Sequence, residues 1–315
     1  MSISPLPIRN FSADQDLQGL LRLLNEGAIA DRTGALTHIA ELHAGMQLPG
    51  HDPNLDCFVA EFPDNPARLA GYAAAWVAPD SDSATISLHV HPQWRGKGLS
   101  DALMESILAR ARSLGATQAQ MTFNSRRPGV VDFLKSQGFT RQGAYTELRA
   151  PGEQDLPAPD WPQGFSVRSY AQLQDLPLLT QAMNQCYHGL WGHQHASLEQ
   201  MAEWLASWNE DGLFLIFGPG KELAGISRVE PNTERTEQNG QPTGYIDAPG
   251  FMPKYRRPEL YRALLLTGMR WLQSQGQTLI EMESWGDQPE ILQMYGQFGF
   301  TVLRQFVAYQ GPLKD

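Results

Sequence analysis

The chain repeats itself at the distance of a whole domain. Ile8, Arg9, Phe11, Asp16, Leu20 and Asn25 recur 159 positions later as Val167, Arg168, Tyr170, Asp175, Leu179 and Asn184. Further on the offset becomes 161, pairing Pro92 with Pro253, Arg95 with Arg256, Ala102-Leu103 with Ala263-Leu264, Gly115 with Gly276, Pro128 with Pro289 and Gly138-Phe139 with Gly299-Phe300. Chance supplies one such match, not an ordered series along both halves. A period near 160 is a domain, not a solenoid repeat of about 20–50 residues. A chain of 315 residues is therefore expected to hold two similar domains, residues 1–150 and 165–315. Between them residues 151–164, with prolines at 151, 157, 159 and 162, read as a stiff extended linker.

Strand and helix patterns alternate within the first half. Pro7 to Asn10 reads as a short strand, and Leu17, Leu20, Leu21 and Leu24 give Asp14 to Asn25 the apolar spacing of a helix. Cys57 to Glu61 and Leu69 to Val77 read as strands. Ala84 to His91 alternates, with Ile86, Leu88 and Val90 on one face and Ser87, His89 and His91 on the other. Leu99, Leu103, Ile107, Ala111 and Leu114 form one helical stripe that Gly115 stops. Ala119, Met121 and Phe123 alternate again, and Pro128 to Gln137 is a short helix ended by Gly138. The expected class is α/β, a mixed sheet with helices on both faces.

Composition narrows the function. Lys and Arg number 24 against 34 acidic residues, a net charge of −10. Such a chain is a poor partner for nucleic acid, whose non-specific binding comes from basic charge. The two cysteines, Cys57 and Cys186, are far apart, which excludes a disulfide framework and a cysteine-based zinc site and suits a reducing compartment. Met1 to Pro7 lacks the basic segment and apolar core of a signal peptide. Apolar runs such as Leu213 to Phe217 fall short of the roughly 20 residues that span a bilayer. The expectation is a soluble cytoplasmic protein with no membrane partner.

Between the strand at 84–91 and the helix from 99 lies Gln93-Trp94-Arg95-Gly96-Lys97-Gly98-Leu99-Ser100. A glycine loop that opens a helix exposes unpaired N–H groups at the positive end of the helix dipole. That arrangement binds phosphate, and Arg95 and Lys97 add positive charge. The same glycines also serve a plain turn. No Gly-x-x-x-x-Gly-Lys-Ser/Thr loop is present, and the dinucleotide pattern that Gly96 and Gly98 begin fails at Asp101.

At these residues the chain resembles the GNAT superfamily of acetyl-CoA-dependent N-acetyltransferases. The family loop, Gln/Arg-x-x-Gly-x-Gly/Ala, is matched by Gln93, Gly96 and Gly98, with Leu88 to Pro92 before it, an amphipathic helix after it and Gly138-Phe139 closing a short helix. The resemblance covers most of each half, so the whole resembles a tandem GNAT protein in an arrangement similar to that of mycothiol synthase. It implies two domains, each a mixed, mostly antiparallel twisted sheet flanked by helices, with a V-shaped cofactor cleft. It further implies acetyl-CoA as co-substrate and no metal. The backbone of Leu88, His89 and Val90 would hold the acetyl-pantetheine arm as an added strand. The N–H groups of Arg95, Gly96, Lys97, Gly98, Leu99 and Ser100 would cradle the pyrophosphate, and a backbone donor near Val90 would polarise the carbonyl.

The halves have kept different parts. Gln93, Gly96, Lys97 and Gly98 correspond to Lys254, Arg257, Pro258 and Glu259. Proline removes a donor, and a carboxylate about 4 Å from phosphate costs up to about 4 kcal/mol at an effective dielectric near 20. The side chains of Lys254, Arg256 and Arg257 leave another route to phosphate open. Conversely, the tyrosine that many family members carry four residues before Gly-Phe is Leu134 in the first half and Tyr295 in the second, and a frequent family glutamate falls at Ala84.

Other candidates carry a plain reading beside a functional one. His89 is a base or a strand histidine, and Glu61 a base or a solvated carboxylate. His188, His193 and His195 form a metal cluster only if a carboxylate joins them. Trp191, Trp204 and Trp208 are core packing or an acceptor pocket. Arg126 and Arg127 approach the phosphates or are surface arginines. Three functions follow: transfer of acetyl by the first half to a small-molecule or peptide amine, catalysis by the second half through Tyr295, or acetyl-CoA binding without chemistry. The catalytic residues, the acceptor and the oligomeric state stay open.

Overall fold

The computed structural model describes residues 6–34, 36–79, 81–247, 249–286 and 289–313. Of the opening segment read above for a signal, Met1 to Pro5 lies outside them. By contacts the chain forms two compact units, Met1–Gly143 with Phe306–Asp315, and Ala144–Gln305.

The first half supplies β1 (Ile8–Asn10), α1 (Ala13–Asp31), α2 (Ile39–Met46), α3 (Pro53–Asp56), β2 (Cys57–Phe62), β3 (Asn65–Val77), β4 (Ser83–Val90), α4 (Leu99–Ser113), β5 (Gln118–Asn124), α5 (Val130–Ser136) and β6 (Thr140–Pro151). The second supplies β7 (Ser166–Ser169), α6 (Tyr170–Leu173), α7 (Leu176–Cys186), α8 (Leu198–Leu205), β8 (Leu213–Phe217), β9 (Leu223–Pro231), α9 (Thr233–Asn239), β10 (Thr243–Ile246), β11 (Gly250–Phe251), α10 (Pro258–Ser274), β12 (Leu279–Trp285), α11 (Pro289–Gly296) and β13 (Thr301–Pro312).

Each sheet is mixed and mostly antiparallel. In the first unit the order is β1-β2-β3-β4-β5-β13, and only β4 and β5 run parallel. In the second it is β6-β12-β10-β9-β8-β7, with β10 and β12 parallel and the short β11 on β9. The final strand of each sequence half therefore completes the sheet of the other unit: Val307 sits opposite Phe123, and Leu148 opposite Met282.

The apolar stripe read from the sequence builds α4, where Leu99, Leu103, Met104, Ile107 and Ala111 are buried. The larger of these contribute about 1.5–3 kcal/mol each. A Cβ at Gly71 would come within 2.6 Å of a Leu103 methyl, so a larger residue there would require the Leu103 side chain to shift. The neighbouring Tyr72 points to the opposite face, where Phe11, Leu20, Leu23, Cys57, Val59 and Leu69 form the core beneath α1. Helices thus cover both faces of this sheet. Residues 152–164 pack on the second unit, where Gln273 donates to the carbonyls of Gly152 and Gln154 and Arg270 to that of Leu156. Among the described residues no helix is long and apolar enough to cross a membrane.

Candidate active site

β4 and β5 start side by side and then part. Their pairing runs from Ser83 opposite Gln118 to Thr85 opposite Gln120, yet β4 continues to Val90 and β5 to Asn124. The far edge of β4 stays paired with β3 as far as Val90 opposite Gly71. Ile86 to Val90 therefore face the gap without a ladder, and backbone groups left this way need partners. A cavity of about 390 Å³ occupies the gap, with Leu88, Val90, Arg95, Gly96, Gly98 and Ser100 in its wall.

The loop at its end has the geometry the glycines suggest. Gly96 and Gly98 hold φ at +69° and +81°, a left-handed region that residues with a Cβ enter at a cost. Open space lies where a Cβ would stand on either. Gly98 caps α4, and the first helical bond runs from the Ala102 N–H to the Gly98 carbonyl. The N–H groups before it have no helical acceptor and lie at the positive end of the dipole. Leu99 contributes backbone only, since its side chain is buried under the sheet.

The cationic side chains are placed differently from the sequence reading. Arg95 turns away from the loop and grips Asp31 at the end of α1 with both terminal nitrogens, at 2.6 and 2.8 Å, while its Nε donates to the Val90 carbonyl. Its charge is thus met by Asp31 and is not added to the loop. Lys97 lies over the Trp94 ring, 4.9 Å from its centre. Arg126 donates to the Arg32 carbonyl. Arg127 reaches into the gap and donates to the Leu88 carbonyl at 2.7 Å, and burial lowers its guanidinium to about 10. Sequence reasoning missed Asp31 and the burial of Arg127, because neither carries a local pattern.

His89 faces a second cavity, of about 280 Å³, with Asp31, Thr33, Thr37 and Asn124, and Arg95 and Arg127 line both cavities. Burial, reinforced by Arg127 and Arg95, holds its imidazole well below the usual range, so it is neutral near pH 7. Glu61 is instead tied to Arg9, which also grips Asp16. Leu134 and Ala84, where the family resemblance would place a tyrosine and a glutamate, are both fully buried.

Cys57, His51 and Asp56 line up elsewhere, with Sγ to Nε2 at 3.7 Å and Nδ1 to Oδ2 at 3.0 Å. The thiol is sealed in the core and pushed up to about 11 by burial. A neutral, inaccessible thiol is no nucleophile.

In the second unit the equivalent loop has lost its form. Pro258 opens α10, and the cap Arg257 has φ −131° where Gly98 has +81°. Lys254 is held by Glu222 at 2.7 Å and Arg257 by Glu259 at 3.4 Å, so both side chains are already paired. Arg256 keeps part of the job of Arg95: its Nε donates to the Phe251 carbonyl at 3.0 Å, while its terminal nitrogen donates to the His188 backbone carbonyl at 2.6 Å rather than to a carboxylate. Tyr295 is wholly enclosed in the core, 6.3 Å from the Phe300 ring. Among the described residues no group of three His, Cys, Asp or Glu is placed to hold a metal ion. Trp208 packs beneath Arg228, whereas Trp191 and Trp204 line an open cavity.

The profile of the acetyltransferase (GNAT) family matches residues 24–139, which span the parted strands and the glycine loop. A mycothiol acetyltransferase of Thermobispora bispora is 27% identical over 239 residues, covering 74% of this chain and 77% of its own length. Another, of Tsukamurella paurometabola, is 25% identical and covers 93% of this chain and 96% of itself. Among solved structures, a GCN5-related N-acetyltransferase from Sphaerobacter thermophilus superposes with a TM-score of 0.68 at 17% identity, covering 100% of this chain and 98% of that one. A tandem GNAT protein from the clavulanic acid biosynthesis pathway does so with 0.60 at 18% identity, covering 98% and 99%. Residues 24–139, which carry the parted strands, are a GNAT acetyltransferase domain, and the whole chain has the fold of tandem GNAT proteins.

Proposed function

We propose that the first unit takes acetyl-CoA into the gap between β4 and β5 and passes the acetyl group to an amine presented from the His89 cavity. One observation carries this reading: an unladdered strand edge and a helix N-terminus opened by two left-handed glycines meet at the same cavity. An extended amide chain such as pantetheine fits the first as an added strand, and a diphosphate fits the second. The relatives named mycothiol acetyltransferase support acetyl as the group transferred.

Acetyl-CoA supplies the acetyl thioester. The amine nitrogen forms its bond to the carbonyl carbon, the carbon–sulfur bond breaks, and the amine's proton must leave. Holding amine and thioester together contributes much of the rate by itself. A neutral His89 can accept the proton, and a backbone N–H near Val90 can steady the carbonyl oxygen. Arg127, a cation where the two cavities meet, offsets the charge left on sulfur once it releases Leu88. The second unit lacks the glycine loop and does not turn over acetyl-CoA in this reading. The acceptor is an amine on a small molecule or a peptide.

Calorimetric titration of acetyl-CoA into the protein and into Gly98→Glu tests the assignment. Affinity should vanish in the variant while its circular dichroism is unchanged; unaltered affinity would overturn the reading.

A further inference from the structure

The second unit has its own version of the His89 cavity, rebuilt with different chemistry. Leu24, Ala28, Thr37, Thr122 and Asn124 line the first; at the repeat offsets Met183, Tyr187, Ala196, Glu283 and Trp285 line the second, which encloses about 340 Å³. Ala28, Thr122 and Asn124 have thus given way to Tyr187, Glu283 and Trp285.

The rings are held by the backbone. Trp285 stacks on Trp191 at 5.6 Å and 21°, and on Tyr145 at 4.9 Å and 16°. A Cβ at Gly192, whose φ is +82°, would stand 2.8 Å from the Trp285 ring, and one at Gly250 would stand 2.8 Å from that of Tyr187. Both rings therefore occupy space that only glycine leaves. Trp204 adds a rim residue that is 42% exposed.

Two carboxylates share the wall, Asp247 and Glu283. Asp247 is paired with Arg228 at 3.1 Å. Glu283 has less cationic compensation: Arg235 lies 4.0 Å away and is engaged with Glu281 at 2.5 Å, and the Tyr245 hydroxyl adds a hydrogen bond but no charge. The Trp285 indole N–H donates to Glu283 at 3.0 Å and fixes the carboxylate beside the stacked rings. Burial holds His193 below the usual imidazole range, so it brings no positive charge at neutral pH.

Electron-rich ring faces beside an under-compensated carboxylate select positive charge on an apolar body. We propose that this pocket binds an organic cation, an ammonium group carried on a planar or branched apolar skeleton. It does so without acetyl transfer, because Pro258 and Glu259 stand where the donor loop would be. The absence of transfer rests on the proposed function, whereas binding of the cation is independent of which unit holds acetyl-CoA.

The test uses the full chain and benzyltrimethylammonium, followed by tryptophan fluorescence and calorimetry, with neopentylbenzene as the uncharged isostere. The cation should saturate and bind at least about tenfold tighter than the isostere, the scale of a desolvated cation–π contact. Trp285→Ala should abolish saturation. Glu283→Gln keeps an acceptor for the indole and should weaken binding several-fold with an unchanged melting temperature, so the proposal stays testable even if Trp285→Ala fails to fold. Absence of saturable binding, equal affinity for cation and isostere, or an unchanged affinity in Glu283→Gln would each overturn it.

Discussion

The Arg127 guanidinium donates to the Leu88 carbonyl oxygen at 2.7 Å, so a side chain occupies the strand edge proposed for pantetheine. Buried carbonyls need donors, and this contact supplies one. In the proposed reaction Arg127 must leave Leu88 and turn to the departing sulfur. Arg127→Gln keeps a donor and removes the charge. We expect acetyl-CoA affinity within about threefold of the parent and kcat lowered by about 10²-fold, the scale of one lost electrostatic donor. Steady-state thiol release together with calorimetry checks both halves of this expectation.

Asp31 holds Arg95, and Arg95 in turn holds the Val90 carbonyl. Asp31 is 4% exposed in its side chain and Arg95 29%, so breaking the pair strands a partly buried cation. Asp31→Ala should cost about 3 kcal/mol, the low end for a buried pair because Arg95 reaches solvent. A denaturant melt reads it; a loss below about 1 kcal/mol would place the pair among ordinary surface bridges.

His89 sets a pH dependence. Its folded-state pKa lies well below the usual value because burial, with Arg127 and Arg95, disfavours the charged form. Below about pH 6.5 the unfolded chain binds a proton that the folded chain refuses, so stability falls with falling pH, by at most about 1.4 kcal/mol per pH unit for one proton. His89→Gln should flatten that part of the stability curve. The same neutrality places the acid limb of the kcat profile below the ordinary imidazole range if His89 takes the amine proton. His89→Gln should lower kcat by about 10²-fold or more.

Tyr295 separates the proposed reading from catalysis by the second unit. Its ring is enclosed in the core, out of reach of substrate in this structure. Tyr295→Phe should retain turnover within about twofold, because it keeps the enclosed ring and removes only a hydroxyl that does not reach the proposed site. A collapse of kcat with stability intact would move the chemistry to the second unit.

What the sequence shows and hides follows from the range of the interactions. The matched Asn25 and Asn184 turn out to do the same work: each amide clamps the residue twelve places on, Thr37 and Ala196, through both its oxygen and its nitrogen. That work is local and stays in register with the repeat. The α4 stripe and the glycine loop are legible for the same reason, since helix period and left-handed φ are written in neighbouring residues. The partners of β6 and β13 are not. Their own residues show extended chain but not which edge they will join, and Leu148 meets Met282 from the far half of the sequence. The gap itself is equally hidden, because where β4 leaves β5 depends on two strands and the helices on either face. Arg95 misled because a basic residue in a phosphate-type loop is read as a ligand, whereas its partner Asp31 lies 64 residues away.

Crystals of the full chain soaked with coenzyme A test the central claim most directly. Density should lie along β4 in the first unit, with the diphosphate on the N–H groups at Gly96 to Ser100 and Arg127 withdrawn from Leu88. Density confined to the second unit beside Pro258, or in neither unit at saturating ligand, would contradict it.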